Sequence, residues 1–381
     1  MVRISSITSG SQLLRTIRQS FSHYQSDRRL TEKRVAILRL LAAPYHPPEV
    51  HVRAKASRIS AEQKVRNLSY LGFEVNHVVL PHDISQASFA DRIEDFNTDP
   101  NTLGIIVQMP VPEKFNGLIR LIKPEKDIDA LLGDESPYPA CATAEGIVRV
   151  VRPFTADDPT IALVGSKGFV GKGVARLLKA DGITPIELDM GDDLTRIHEA
   201  DIVVSSTGRP RLLGRQHLRP YHRLVVDSGF VPQADGRILS DVRREAFDIP
   251  QNITPVPGGI GPVEMAVLME RALERAPGVS VSSWQYGGRP YKSREALAES
   301  PRRPLALHAV LAAQRAKRAG GQGIGGALQG LSIVAPSFQG AMIGSMPAVD
   351  LARRTDPRLP EASRTHRKAS LALQRTRALS R

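Results

Sequence analysis

Cysteine is nearly absent from this chain of 381 residues, in which Cys141 is the only one. A single thiol excludes an intrachain disulfide and a metal site built from several cysteines. Disulfides are rare in reducing compartments, so this scarcity is typical of a cytoplasmic protein. Long apolar runs are missing as well, since no stretch reaches the roughly 18 consecutive apolar residues that indicate a transmembrane helix.

Acidic residues are scarce towards the C-terminus, where the excess of positive charge is concentrated. The whole chain carries a net charge of +13, and residues 278–381 hold 17 Lys or Arg against 5 Asp or Glu. This segment therefore accounts for +12 and leaves +1 for the remainder. With its glycine-rich run 320–326, the segment 277–381 is predicted to be a basic, largely disordered extension.

The first 150 residues alternate between short apolar runs and segments with helical periodicity. This order predicts an N-terminal α/β domain, residues 1–150, built on a parallel sheet. The predicted strands are Val35–Leu41, Glu74–Leu80 and Leu103–Gln108, and the predicted helices are Leu13–Gln25, Ala56–Leu71, Ala87–Phe96 and Gly117–Ile122.

A second α/β unit follows, predicted over residues 151–262. The strand Thr160–Val164 runs into the glycine-rich segment Gly165–Gly173 and a helix through Leu178, which is how a doubly wound, Rossmann-like dinucleotide domain begins. A helix from Val263 to residue 276 is expected to return to the first domain. Further strands are predicted at Ile183–Leu188, Ala200–Ser205, Arg223–Asp227 and Ile253–Val256.

The segment Gly165–Gly171 (GSKGFVG) is not a strict GxGxxG motif. Taken alone, its glycines are equally explained by the steric needs of a tight strand-to-helix turn. Its context favours a pyrophosphate site at the following helix N-terminus. Asp189 ends the next strand, 24 residues beyond Gly165, where an acid binds the adenosine ribose. Its carboxylate would repel a 2′-phosphate, which favours NAD slightly over NADP, unless Asp189 is simply a polar strand end.

Four segments carry a resemblance to one family. Compared with the bifunctional methylenetetrahydrofolate dehydrogenase/methenyltetrahydrofolate cyclohydrolase family, Ala56–Lys64 (ASRISAEQK) resembles A-S-x-x-Y-x-x-x-K, and Gly104–Pro112 (GIIVQMPVP) resembles G-x-x-V-Q-[LM]-P-L-P. Pro124–Asp129 (PEKDID) resembles P-x-K-D-V-D, and Ile253–Pro262 (ITPVPGGIGP) resembles I-T-P-V-P-G-G-V-G-P. The family's first helix falls at Ile7–Phe21, so we reject a transit peptide, which the Arg- and Ser-rich N-terminus otherwise suggests.

The resemblance assigns catalytic roles to Lys64, Gln108 and Asp129. Lys64 would activate water, with its pKa depressed by desolvation near a cationic folate; Gln108 would hydrogen-bond Lys64, and Asp129 would bind the pterin. The alternatives are a solvated surface lysine and a loop-capping Asp129, with Asp127 as the pterin ligand instead. The resemblance implies substrate contacts from Ser60, Pro257, Gly258 and Gly259, and cofactor contacts from Gly165, Ser166, Lys167, Gly168, Gly171, Asp189, Thr207 and Gly208.

Several positions depart from the family pattern. The tyrosine that packs on the pterin is Ser60 here, which removes stacking worth about 1 kcal/mol. The family threonine after the last glycine-rich motif is Glu264. About ten extra residues, around 43–53, lengthen the loop before the lysine helix. The remaining departures are Ala130, Ala144, Ser166 and Lys167.

We therefore expect oxidation of 5,10-methylenetetrahydrofolate to the 5,10-methenyl form with NAD(P)+. Hydrolysis to 10-formyltetrahydrofolate would be a second activity. The alternative is a catalytically weak folate- or nucleotide-binding paralogue, which Ser60 and Ala144 would support. Family resemblance implies a homodimer. Nucleic-acid binding is expected only non-specifically through the basic extension, where Trp284 is one of few residues that could stack on bases.

Overall fold

The computed structural model describes residues 10–156, 158–281 and 283–284. Its first sheet contains β1 (Arg34–Leu40), β2 (Glu74–Leu80) and β3 (Thr102–Val107), all parallel, in the order β2-β1-β3. Around it lie α1 (Gly10–Ser20), α2 (Arg28–Thr31), α3 (Pro48–Tyr70) and α4 (Gln86–Thr98).

Strand β1 is buried on both faces, as the apolar run predicts. Val35 and Ile37 enter the core shared with α1 and α3, whereas Ala36 and Leu38 enter a second core shared with α4. Successive residues of a strand point to opposite faces, so a central parallel strand covered by helices needs apolar residues at nearly every position.

Helix α3 is longer than its sequence suggested. It begins at Pro48, not at Ala56, because proline at the first helical position gives up only an N–H that has no partner in the helix. Residues 48–53 of the expected loop are therefore helical. The helix ends at Tyr70, and Gly72 follows two residues later with a φ of +101°, a conformation that glycine adopts readily.

The second sheet contains β4 (Ile161–Val164), β5 (Ile186–Leu188), β6 (Ile202–Ser205) and β7 (Leu224–Asp227). Its strands are parallel and ordered β5-β4-β6-β7, so the chain reverses direction across the sheet between β4 and β6. That reversal marks the crevice in which doubly wound folds bind ligands. The helix α6 (Phe169–Ala180) follows β4 directly.

One predicted element is wrong in type. Ile253–Val256 is not a strand and makes a single bridge, from Ile253 to Val225, because Pro255 and Pro257 lack the N–H that a ladder needs. The helix predicted at Gly117–Ile122 forms as a 3-10 helix, which spans Glu113–Leu121. A short hairpin, β8 (Val231–Pro232) and β9 (Ile238–Leu239), completes the strands in the described ranges.

Helices α5 (Ala142–Val151) and α7 (Ile260–Glu274) hold the two sheets in one structure. Between them lies a buried ion network, in which Arg271 Nη2 lies 2.5 Å from Glu145 Oε2 and Arg149 Nη1 lies 2.8 Å from Glu270 Oε2. Arg149 also contacts Glu145. Helix α7 is thus fixed by charge pairing as well as by its apolar residues.

The residues after α7 lie against the folded body. The Tyr24 hydroxyl donates to the carbonyl of Ser280, and Trp284 is 8% exposed, with its Nε1 donating to the carbonyl of Ala266. The prediction of disorder is therefore wrong for the described residues just after 277, and Trp284 is not an exposed stacking residue. The remainder of that prediction falls outside the described residues. No helix in the described ranges is long and apolar enough to cross a membrane.

Candidate active site

A cavity of about 430 Å³ lies between the two sheets. Helix α3 forms one wall, and the residues after β3 form a second wall around Gln108. The opposite wall comes from the carboxyl end of β7, with Asp227, and from the Pro255–Pro262 segment that leads into α7. Both sheets thus present the carboxyl ends of parallel strands to one cavity, which is where such folds place ligands.

Lys64 lies beside this cavity, with only 3% of its side chain exposed. Its Nζ lies 2.8 Å from Glu264 Oε1 and 4.0 Å from Asp129 Oδ2. It also donates to Gln108 Oε1 at 3.1 Å and to Ser60 Oγ at 3.3 Å. The alternative of a solvated surface lysine is wrong, because α3 turns Lys64 inward, and the predicted contact with Gln108 is present.

The pKa of Lys64 is raised by its protein surroundings, whereas the depressed pKa that we predict for it depends on a cationic folate beside it. Burial is the largest single influence and acts to lower the pKa of Lys64. The attraction of Glu264, then of Asp129, and the hydrogen bond with Glu264 together outweigh it. Lys64 is therefore held as an ammonium, because two carboxylates accompany it into the interior.

The two aspartates of the PEKDID segment have different surroundings. Asp127 is fully buried and accepts hydrogen bonds from the backbone N–H groups of Leu131 and Leu132, so it is the loop-capping residue. Burial raises its pKa. Asp129 accepts from the N–H of Ala142 at the start of α5, and its other oxygen faces Lys64. Asp129, not Asp127, therefore belongs to the charged cluster, although it also caps a helix.

The Pro257-Gly258-Gly259 segment forms part of the cavity wall. Gly258 has a φ of +102°, and its carbonyl accepts from the N–H of Ser11 at the start of α1. A Cβ on Gly10 would meet the Gly259 carbonyl oxygen at 1.8 Å. The N-terminal helix thus closes directly on this segment, and the glycines allow the approach.

The glycine turn between β4 and α6 is tight and leaves little room for side chains. Gly165 has a φ of +88°, and a Cβ on Gly171 would meet the Gly165 carbonyl oxygen at 1.9 Å. Gly168 is the N-cap residue of α6 and has no side chain to occupy the helix N-terminus. Backbone N–H groups there remain available to phosphate oxygens. Ser166 is buried in this turn, and Lys167 is exposed.

Asp189 follows β5 and lies beside the glycine turn, as its spacing predicts. Its carboxylate accepts from the N–H of Lys167 at 2.8 Å and from the N–H of Met190 at 2.8 Å. These hydrogen bonds, that of Met190 first, lower the pKa of Asp189. An ionised carboxylate is therefore fixed at the edge of the turn, close to where the resemblance places the adenosine ribose.

Thr207 and Gly208 follow β6, next to the glycine turn. The Thr207 N–H donates to Asp241 Oδ2 at 2.8 Å, and Gly208 has a φ of +60°. Asp241 also accepts from the Ser205 hydroxyl.

Burial, and then the charge of Asp241, raise the pKa of Asp227 to about 6. Sequence reasoning missed this carboxylate pair, because two aspartates 14 residues apart form no recognisable motif.

Glu264 was visible in the sequence only as a departure from the family pattern. The structure gives it a partner, Lys64, and a place in the cavity wall. Its position after a glycine-rich motif and at the start of a helix gave no reason to pair it with a lysine 200 residues earlier.

Both parts of the chain, each with one of the two sheets, match models of known protein domains. Residues 10–129 match the model of the tetrahydrofolate dehydrogenase/cyclohydrolase catalytic domain, and residues 141–278 match that of the family's NAD(P)-binding domain. The bifunctional protein FolD of Bordetella avium is 32% identical over 235 residues, which cover 58% of this chain and 82% of the relative. The bifunctional protein FolD of Thermus thermophilus is 31% identical over 255 residues, which cover 63% of this chain and 86% of the relative.

Solved structures share the fold. The FolD methylenetetrahydrofolate dehydrogenase/cyclohydrolase of Campylobacter jejuni has a TM-score of 0.60 and 23% identity, covering 70% of this chain and 97% of its own. The Trypanosoma brucei FolD, solved with NADP and an inhibitor, has a TM-score of 0.61 and 23% identity. The likeness covers 71% of this chain and 96% of that protein. At this identity the likeness establishes the two-domain α/β architecture.

Proposed function

The chain belongs to the tetrahydrofolate dehydrogenase/cyclohydrolase family, and from this we propose that it oxidises 5,10-methylenetetrahydrofolate with NAD(P)+ and hydrolyses the methenyl product to 10-formyltetrahydrofolate. The observation that carries the proposal is the buried contact of Lys64 with Gln108 at the side of a cavity that both sheets line. Lys64 ends the segment Ala56–Lys64, and Gln108 lies in the segment Gly104–Pro112. Both segments resemble family motifs.

The residues of this chain serve the oxidation mainly by positioning the substrate. Bound NAD(P)+ supplies the hydride acceptor. Gln108, Ser60 and the Pro257–Gly259 segment enclose the cavity from opposite sides, so a folate in it is held between the sheets. Holding the reacting carbon at a fixed distance and angle lowers the entropic part of the barrier.

The cofactor would occupy the crevice at the carboxyl ends of β4 and β6. The turn Gly165–Gly171 and the residues Thr207 and Gly208 are its proposed contacts. Glycine at 171 lets the start of α6 pack against the Gly165 carbonyl, which keeps the turn tight and the helix N-terminus close to the crevice. Asp189 favours NAD over NADP, since its ionised carboxylate would repel a 2′-phosphate. Lys167 lies in the same turn, so we propose a modest preference for NAD.

Domains at residues 1–150 and 151–262, with α7 returning to the first, fit this division of roles. We further propose a cytoplasmic homodimer, on the grounds of the single buried thiol and the family resemblance.

A dehydrogenase assay tests the proposed function. The purified full chain is mixed with 5,10-methylenetetrahydrofolate and with NAD+ or NADP+ in separate reactions, and formation of the reduced cofactor is followed by absorbance. We expect turnover with both cofactors and a higher kcat/KM with NAD+. Binding of the folate without any turnover would instead support the weakly catalytic paralogue.

A further inference from the structure

The Lys64 ammonium has no capacity to accept a proton. It has three N–H bonds, and Glu264, Gln108 and Ser60 lie within reach as acceptors for all of them. A lysine with its ordinary pKa of about 10.4 is unprotonated in roughly one molecule in a thousand at pH 7.4. The pKa of Lys64 is raised further, so the free amine is rarer still.

Glu264 is the ionisable member of this cluster that forms part of the cavity wall. It lines the cavity together with Ser60 and Gln108, and its side chain is 13% exposed, against 3% for Lys64. Lys64 contacts its Oε1. Among the described residues, no group donates a hydrogen bond to Oε2. One carboxylate oxygen therefore anchors the side chain, and the other is available to a molecule in the cavity.

We propose that Glu264, and not Lys64, accepts the proton from water in the hydrolytic step. This inference rests on the proposed function and assigns the base of its second reaction. Lys64 then acts as a positioning residue, which holds the Glu264 carboxylate at the cavity wall.

The proton balance of the step is complete with groups already named. The water oxygen forms a bond to the methenyl carbon, and one water proton moves to Glu264. The bond from that carbon to N5 then breaks, the hydroxyl becomes the formyl carbonyl, and N5 takes up a proton. Glu264 releases its proton to solvent, so that one proton leaves for each water consumed.

The charges around Glu264 suit a cationic substrate. Lys64 contributes one positive charge from α3, and Asp129 and Glu264 contribute two negative charges, so the cluster carries a net charge of −1. The Cys141 thiol nearby is neutral, because burial raises its pKa to about 12. Arg53 and Asp227 line the same cavity. A single negative charge complements the methenyl cation that is attacked.

The test compares Glu264→Gln with Glu264→Asp, using 5,10-methenyltetrahydrofolate as substrate without any nicotinamide cofactor. The glutamine keeps an oxygen for Lys64 but cannot accept the proton, so kcat for hydrolysis should fall by about a hundredfold or more. Glu264→Asp keeps the carboxylate and should recover at least a tenth of the wild-type rate. Glu264→Gln hydrolysis within threefold of wild type would overturn the proposal.

The wild-type pH profile gives a second test that needs no variant. If the free amine of Lys64 were the base, kcat would rise tenfold for each pH unit from pH 7 to 9, after subtraction of uncatalysed hydrolysis. A carboxylate base predicts a flat profile over this range. A tenfold rise per unit would overturn the proposal even if Glu264→Gln were inactive because it misfolds.

The two proposals can fail separately. Absence of hydride transfer in the wild type would contradict the oxidation, whereas the hydrolytic assay contains no hydride acceptor and tests only the base. Folding of Glu264→Gln is checked separately, by comparing its urea unfolding transition with that of the wild type.

Discussion

The Nζ of Lys64 on α3 and the Oε1 of Glu264 on α7 lie 2.8 Å apart in a largely buried pair. The two residues are 200 positions apart in the sequence. Asp129 adds a second carboxylate at 4.0 Å. Removal of either partner of a buried pair leaves an uncompensated charge, which costs more than the pair itself contributes. Stability and chemistry are therefore linked at this point.

Lys64→Met should destabilise the protein by about 3 kcal/mol, because buried Asp129 and the largely buried Glu264 would both lose their cation. Urea denaturation at pH 7 measures the effect. The matched control is Lys179→Met, which removes an exposed pair with Glu187 and should cost less than about 1 kcal/mol. Equal losses in the two variants would show that the buried cluster has no special role in stability.

Gly171→Ala should weaken binding of NAD+ at least tenfold. The added Cβ would lie 1.9 Å from the Gly165 carbonyl oxygen, so the glycine turn must shift. Overpacking of this kind also costs about 1–3 kcal/mol of stability. Calorimetric titration with NAD+ measures the affinity, and Gly117→Ala, where a Cβ meets nothing within 4 Å, is the control. Unchanged affinity in Gly171→Ala would place the cofactor elsewhere.

Asp189→Ser should shift the cofactor preference towards NADP+. The substitution removes the negative charge beside the turn and leaves the Lys167 side chain to attract a 2′-phosphate. We expect the ratio of kcat/KM for NADP+ over NAD+ to rise about tenfold, the effect of roughly 1.4 kcal/mol. Asp235→Asn, on the β8–β9 hairpin, removes the same charge elsewhere and should leave the ratio unchanged. A ratio unaffected by Asp189→Ser would refute this role.

Stability should fall as the pH rises from about 4 to 6, through the contribution of Asp227. Burial, and then the charge of Asp241, raise its pKa from an ordinary 3.8 to about 6. The folded state therefore binds more protons than the unfolded state in this interval, and that stabilisation is full below the lower value and lost above the higher one.

Asp241→Asn should reduce this loss, because it removes the neighbouring charge and lowers the pKa of Asp227. The free energy of unfolding in urea, measured at half-unit steps from pH 4 to 7, gives the slope for wild type and variant. Asp91→Asn, an exposed change on α4, is the control. A slope that Asp241→Asn leaves unchanged would show that the two carboxylates are not coupled.

The sequence predicted both parallel sheets and all seven of their strands, since buried parallel strands require continuous apolar runs. Two predictions were wrong at prolines. Pro48 allowed α3 to begin eight residues early, and Pro255 kept the last predicted strand out of the sheet. The contact of Lys64 with Gln108 came from the family resemblance, because no local pattern joins residues 44 positions apart.

The order of apolar runs and the glycine turn determined the architecture, because these depend on short-range periodicity and on residues close in the chain. The family motifs identified Lys64. The tertiary structure decided the charge state of that lysine. Burial alone would have lowered its pKa, but α7 brings Glu264 to within 2.8 Å and reverses the sign. Electrostatic balance depends on distances between remote segments, and only folding fixes those distances.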